Sequence, residues 1–293
     1  MGSLTDPAVP ALWHRLGLPG LADIHVHFLP PSMLAKVWRY FDEAESHYGM
    51  AWPIQYRTDD AQRIATLDAL GVHRFPTLCY PHKPGMAAWL NDWCAEFARL
   101  HPAAVHSATF FDEPDSASYV RKALDGGARI FKVHVQVGGF DPSDQQLDET
   151  WGVLSEAGVP VVVHCGSGPL PGKHTGPGPI GQVLQRHPGL TAVIAHCGAP
   201  EYREHLALVQ RYRNVYLDTT MVGTGFMDRI APVPPDVLAG YRDAGDRIVL
   251  GSDFPNIPYR YASQLQALID WDFGDEWLRQ VLWHNGARLL GLG

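Results

Sequence analysis

Short apolar runs alternate along the chain with stretches whose apolar residues recur every three or four positions. The runs fall at 22–27, 72–80, 105–111, 129–135, 159–164, 191–196, 214–218 and 247–252. Several are apolar almost throughout, among them Val161-Val162-Val163, Ala192-Val193-Ile194-Ala195 and Ile248-Val249-Leu250. Uninterrupted runs of this length suit parallel strands buried on both faces. Between them the spacing changes to that of helices. Ala61, Ile64, Leu67 and Leu70 lead to Gly71, and Met86, Leu90, Trp93 and Phe97 repeat at helical intervals. Tyr119 and Ala123 run to Gly126-Gly127, Trp151 and Leu154 to Gly158, and Val183-Leu184 to Pro188-Gly189. Leu206-Val209-Tyr212 and Val237-Tyr241 follow. A glycine closing such a run is a helix C-cap signal.

Eight strands with intervening helices predict an α/β chain folded as a (β/α)8 TIM barrel, a single domain over 1–293. A doubly wound open sheet is the competing architecture. It would carry a glycine-rich fingerprint after the first strand, where this chain has His25-Val26-His27-Phe28-Leu29-Pro30-Pro31. Residues 28–57 form an insert after that strand. Leu34, Val37, Trp38 and Phe41 have helical spacing in it, and Tyr48, Trp52 and Tyr56 follow. The insert is expected to cover the barrel mouth; a subunit contact or plain packing on the rim are the other uses of such a face. The last stripe, Trp277-Leu278-Val281-Leu282-Asn285-Leu289, should close the barrel. The glycine-rich stretch 166–179 lacks the order of a phosphate loop and reads as a shaped loop after the fifth strand, with His174 a solvated or substrate-reaching side chain.

Bulk properties narrow the partners. The 293 residues are normal for a barrel, for which about 250 is typical. Net charge is −8, which argues against sequence-independent nucleic-acid binding. No apolar run approaches the roughly 20 residues that span a bilayer, and the N-terminus lacks the pattern of a secretory signal. A cytoplasmic protein without membrane or nucleic-acid partners is expected, acting on a small molecule. The four cysteines are spread without a CxxC pair, as expected of reduced thiols. Strand alternation turns Cys165 and Cys197 away from the histidines they follow.

The chemistry lies at the ends of the runs. His25 and His27 are two apart on the first strand and share a face. His164, His196 and Asp253 each end a later run, and a glycine- or proline-containing turn follows each. In a barrel that edge is where active sites are built. Imidazole and carboxylate suit Zn²⁺ and similar divalent ions. Three histidines and one aspartate leave a position for water, whose pKa such a metal lowers from 15.7 to about 7. Asp253 is then placed to take a proton. His196 is placed to polarise a carbonyl or act as acid and base.

These motifs resemble the amidohydrolase superfamily, and best the amidohydrolase 2 branch, which includes aminocarboxymuconate-semialdehyde decarboxylase, related decarboxylases and lactone hydrolases. The resemblance runs from Asp23 to the C-terminus. Asp23-x-His25-x-His27, Val163-His164-Cys165-Gly166, Ala195-His196-Cys197-Gly198, Gly251-Ser252-Asp253-Phe254-Pro255 and His284-Asn285-Gly286-Ala287-Arg288-Leu289-Leu290-Gly291 carry it. It implies that His25, His27, His164 and Asp253 bind one metal, usually Zn²⁺, with His196 the catalytic histidine beside it and Asp253 sharing in catalysis. Some superfamily members carboxylate a strand-four lysine that bridges two metals. Lys132 stands on strand four here, so a binuclear site, or a divalent metal other than zinc, is the alternative. Lys132 and His134 share one strand face and are candidate substrate contacts, as are His82 and Lys83. The expected function is a metal-dependent hydrolase using a metal-activated water on a cyclic ester, amide or carboxylate-bearing compound. Non-oxidative decarboxylation is the runner-up, and a non-catalytic ligand-binding barrel is the alternative of another class. A homodimer is what the family implies.

Overall fold

A computed structural model describes residues 3–292; Met1, Gly2 and Gly293 lie outside the described residues. The strands are β1 (Phe75–Pro76), β2 (Ala104–Val105), β3 (Ser107–Thr109), β4 (Ile130–His134), β5 (Val161–His164), β6 (Ala192–Ile194), β7 (Val215–Asp218) and β8 (Ile248–Val249). β2 and β3 are one extended stretch interrupted at His106. β1 pairs with β2, and β3 to β8 pair in sequential order, all parallel. Sequential order without reversal is that of a barrel, not of a doubly wound sheet.

Segment 22–27 closes the ring. The Leu78 amide donates to Val26 O on one side, and Ile24 and His27 donate to Leu250 O and Phe254 O on the other. Its only ladder contact among the described residues is a parallel bridge between Val26 and Phe254. The regular strand expected there is therefore an irregular extended segment. The physical reason is Asp23, whose side chain takes the His25 amide at 3.1 Å. A side chain that captures a neighbouring amide competes with the ladder.

All eight extended segments send a side chain into the barrel's lower interior. Ile24, Leu78, Val105, Ile130, Val162, Val193 and Val249 form one buried apolar layer with Leu290, and Tyr216 packs against it. Two residues further along three of the segments come Tyr80, Lys132 and His164, so the polar side chains stand directly above an apolar floor. The larger apolar cluster lies between strands and helices and includes Cys165 and Cys197.

The helices anticipated from spacing form at Asp60–Leu70, Ala87–Leu100, Ser116–Asp125, Asp148–Ala157, Pro177–Arg186, Tyr202–Arg211 and Pro235–Asp243. Asp59 caps the first by accepting from the Gln62 amide at 2.8 Å, and Gly71 ends it with φ 93°. Helices Val9–Arg15 and Tyr261–Asp270 were not legible from spacing. The insert carries two, Pro31–Asp42 and Ala44–Tyr48, the first burying Met33, Leu34 and Val37.

The closing helix is not continuous. Asp275–Arg279 and Asn285–Leu290 are α-helical, and Gln280–His284 between them is a π turn. The carbonyls of Val281 and Leu282 accept from Leu250 and Ala22, at 3.0 and 2.9 Å. Carbonyls committed to the strands cannot close regular helical bonds, and the turn widens. Buried Asn285 fixes this junction by donating through Nδ2 to Gly245 O and Ile248 O, both at 2.8 Å. Replacing it with alanine leaves two buried carbonyls without a donor. Asn285→Ala should destabilise the fold by about 2–4 kcal/mol in denaturant unfolding; a loss under about 1 kcal/mol would show the junction is held otherwise.

Candidate metal centre

The polar side chains above the apolar floor meet at the C-terminal ends of the strands. Six aromatic rings form a closed circuit there. His25 and His27 have centroids 5.0 Å apart, His27 and Tyr80 5.7 Å, and Tyr80 and His134 5.0 Å. His134 and His164 stack at 3.8 Å, His164 and His196 lie 4.6 Å apart, and His196 returns to His25 at 5.4 Å. The structure thus gathers all the candidate histidines of the first, fourth, fifth and sixth runs. Tyr80, which sequence reasoning passed over, completes the circuit.

Hydrogen bonds fix which nitrogens carry protons. His25 Nδ1 lies 2.9 Å from Asp218 Oδ2, and His27 Nδ1 lies 2.6 Å from Leu78 O. Both partners only accept, so each Nδ1 carries the hydrogen, and in the neutral ring each Nε2 presents a lone pair. Both Nε2 atoms face the same oxygen. Asp253 Oδ1 lies 2.8 Å from His27 Nε2 and 3.3 Å from His25 Nε2. Burial, then the neighbouring Lys132 charge, pushes His25 down to about 4, so it is neutral near pH 7. Acceptors facing one another at such distances repel unless a cation or proton lies among them. Lys132 supplies one positive charge, its Nζ donating to His25 Nε2 at 3.0 Å. Burial pushes that lysine down to about 8 against the pull of Asp218 and Asp253.

His196 belongs to the same group. One nitrogen each from His25 and His196 and an oxygen of Asp253 lie within 4.8 Å of one another. His196 Nε2 is buried without a hydrogen-bond partner among the described residues. A buried imidazole nitrogen left without a partner beside these nitrogen and oxygen donors marks a place for a group the protein alone does not supply. His164 stands next to His196, and its Nε2 makes a long 3.3 Å contact with Gly168 O. His134 accepts from the Val137 amide at Nδ1, 3.3 Å, which leaves its Nε2–H as a donor.

Two ends of the site are held in left-handed backbone. His196 has φ 55° and Asp253 has φ 69°. For residues other than glycine such conformations cost about 1–3 kcal/mol and persist where surroundings over-determine them. The His196 amide donates to Asp218 Oδ1 at 2.9 Å, and the Asp253 amide to His25 O at 2.9 Å. Asp218, at the end of β7, therefore holds the His25 ring with one oxygen and the His196 turn with the other. It also accepts from the Thr220 amide at 3.1 Å. Burial opposes its charge, but His25, His196 and Lys132 together outweigh this and bring the carboxyl down to about 2. The sequence did contain its signal: Val215-Tyr216-Leu217-Asp218 is another run ending in a carboxylate. Gly251 completes the packing, since a Cβ there would collide with Thr220 Oγ1 and touch His25.

The site opens into a cavity of about 540 Å³. Lys132, His134 and His82 line it, as do Val37, Phe41 and Trp52 of the insert. Asp253 is its one lining carboxylate among the described residues. Lys83 is not among the lining residues; His174 pairs instead with Asp141, 3.4 Å away.

The fold and the side chains at its mouth define a barrel with a polar site prepared for a cation. The model of the amidohydrolase family matches residues 22–292, and the chain belongs to that family. No curated protein matches the sequence. Solved structures share the fold at low identity. A TIM-barrel protein from Bordetella bronchiseptica aligns with TM-score 0.74 at 19% identity, over 92% of this chain and 98% of that one. A 5-carboxyvanillate decarboxylase from Novosphingobium aromaticivorans, solved with manganese and 4-hydroxy-3-methoxy-5-nitrobenzoic acid, aligns with TM-score 0.63 at 16% identity, over 94% and 97%. A probable 2-pyrone-4,6-dicarboxylic acid hydrolase from Acinetobacter baumannii, solved with citric acid, aligns with TM-score 0.61 at 14% identity, over 93% and 99%. Decarboxylases and hydrolases thus both share this fold. No helix among the described residues is long and apolar enough to cross a membrane.

Asp218→Asn removes one acceptor oxygen and sets an N–H against a donor. Divalent-metal affinity should fall about 10–100-fold in chelator competition, with the fold retained. Unchanged affinity would show that Asp218 does not orient the site.

Proposed function

We propose that this chain is a divalent-metal-dependent hydrolase of small organic molecules, acting on a cyclic ester, a cyclic amide or a related carboxylate-bearing compound. The observation that carries the reading is the convergence of His25 Nε2, His27 Nε2 and Asp253 Oδ1 beside the orphaned His196 Nε2. His25, His27, His164 and Asp253 are the residues assigned to hold the ion, with zinc as the metal favoured by their donor types. Such an ion supplies positive charge that polarises a substrate oxygen and acidifies water.

The protein's own groups do the rest. His196 Nε2 has no hydrogen-bond partner among the described residues, and burial pushes its pKa down, so it is free to receive and return a proton. Asp253 is the second proton-handling group. Lys132 Nζ, buried under the cavity, and the His134 Nε2–H are the substrate contacts from β4. The insert covers the mouth, where Val37, Phe41 and Trp52 supply an apolar wall that excludes water.

Metal analysis with two variants tests this. Wild type should hold about one ion per chain. His164→Ala should lose the ion. His196→Ala should keep it and turn over about 10²–10⁴-fold more slowly. The assay is a panel of lactones, cyclic amides and aromatic carboxylic acids, scored for ring-opened acid against carbon dioxide. Release of carbon dioxide would replace hydrolysis by decarboxylation. A His196→Ala variant as fast as wild type would end the proton-transfer assignment. Binding without turnover in wild type would leave a ligand-binding barrel.

A further inference from the structure

Asn256 stands three residues after Asp253, buried and lining the cavity. Its backbone amide donates to Asp253 O at 2.9 Å, closing the turn that carries the left-handed Asp253. Two indoles from the insert converge on it. Trp38 Nε1 donates to its side-chain Oδ1 at 3.0 Å, and Trp52 Nε1 donates to its carbonyl at 2.7 Å. The Gln55 amide adds a bond to Ile257 O at 3.1 Å. An indole N–H can only donate. The atom facing Trp38 is therefore the amide oxygen, which settles the side-chain orientation without an assumed flip. The Nδ2 amino group is left with no protein acceptor among the described residues, on a side chain that borders the cavity.

We propose that Asn256 is a substrate-binding residue: its Nδ2–H₂ is a pre-oriented neutral donor for an oxygen of the bound molecule. Trp38 fixes the orientation of that donor, so the insert sets specificity as well as covering the site. A donor already held in place gives up little side-chain entropy on binding. This rests on the cavity being the substrate site, and its test is built to fail separately from the metal assignment.

The probes are benzoate, phthalate and neutral δ-valerolactone, titrated calorimetrically into the metal-loaded protein, with metal content and melting temperature measured in parallel. Asn256→Asp keeps an acceptor for Trp38 and replaces the donor by a carboxylate. Trp38→Phe keeps the ring and removes the N–H that orients the amide. Wild type should bind at least one anion and the lactone. Asn256→Asp should weaken both by about tenfold or more, and Trp38→Phe should weaken them by about threefold or more. Metal content and melting temperature should match wild type. Smaller losses, a loss confined to the anions as bare charge repulsion gives, or no probe bound by wild type would overturn the proposal. Metal missing from wild type would instead count against the metal centre and leave the comparison of probes standing.

Discussion

Two imidazole Nε2 atoms and a carboxylate oxygen stand opposed at the barrel mouth, both nitrogens within 3.3 Å of that oxygen. That opposition is the constraint around which the rest is arranged. It exists because the outer nitrogens of His25 and His27 are already committed as donors, one to Asp218 and one to Leu78 O. Isolated in a buried place such an arrangement is unfavourable, and it becomes favourable when positive charge sits among the lone pairs. Lys132 supplies some of that charge in the protein alone.

The barrel supports this costly cluster from below and from the side. Below it, one apolar side chain after another fills the lower interior, so there is no room for the polar groups to sink. From the side, Asp218 ties the His25 ring to the His196 turn, and the His25 carbonyl ties the Asp253 turn to the first segment. The two left-handed residues are thus each held by a neighbour within the same site. Strain at His196 and Asp253 is a local cost that aims two side chains at one point.

Much of this was legible in the order of residues. Apolar runs ending in His164, His196 and Asp253, with His25-x-His27 before them, placed the chemistry on one rim once a barrel was inferred. The barrel followed from alternation of run and helical spacing. Other parts were not legible. Asp23 breaks the first strand by capturing an amide, which no periodicity reports. The closing helix widens at Gln280–His284 because its carbonyls serve the strands, a tertiary demand on a sequence that reads as continuous helix. Asp218 ended a run in plain view but had no histidine beside it to attract notice. Tyr80 and Asn256 are ordinary residue types, and only their neighbours give them meaning.

The sequence by itself determined the class of fold, the face of each strand and the identity of the side chains at its end, because periodicity and residue chemistry are local properties. The tertiary structure decided which nitrogen of His25 and of His27 donates outward, which carboxylate stands behind His25 and which end of the Asn256 amide faces Trp38. Those depend on partners far away in the chain, Asp218 for His25 and Trp38 for Asn256, and a hydrogen bond has direction only once both of its ends are in place.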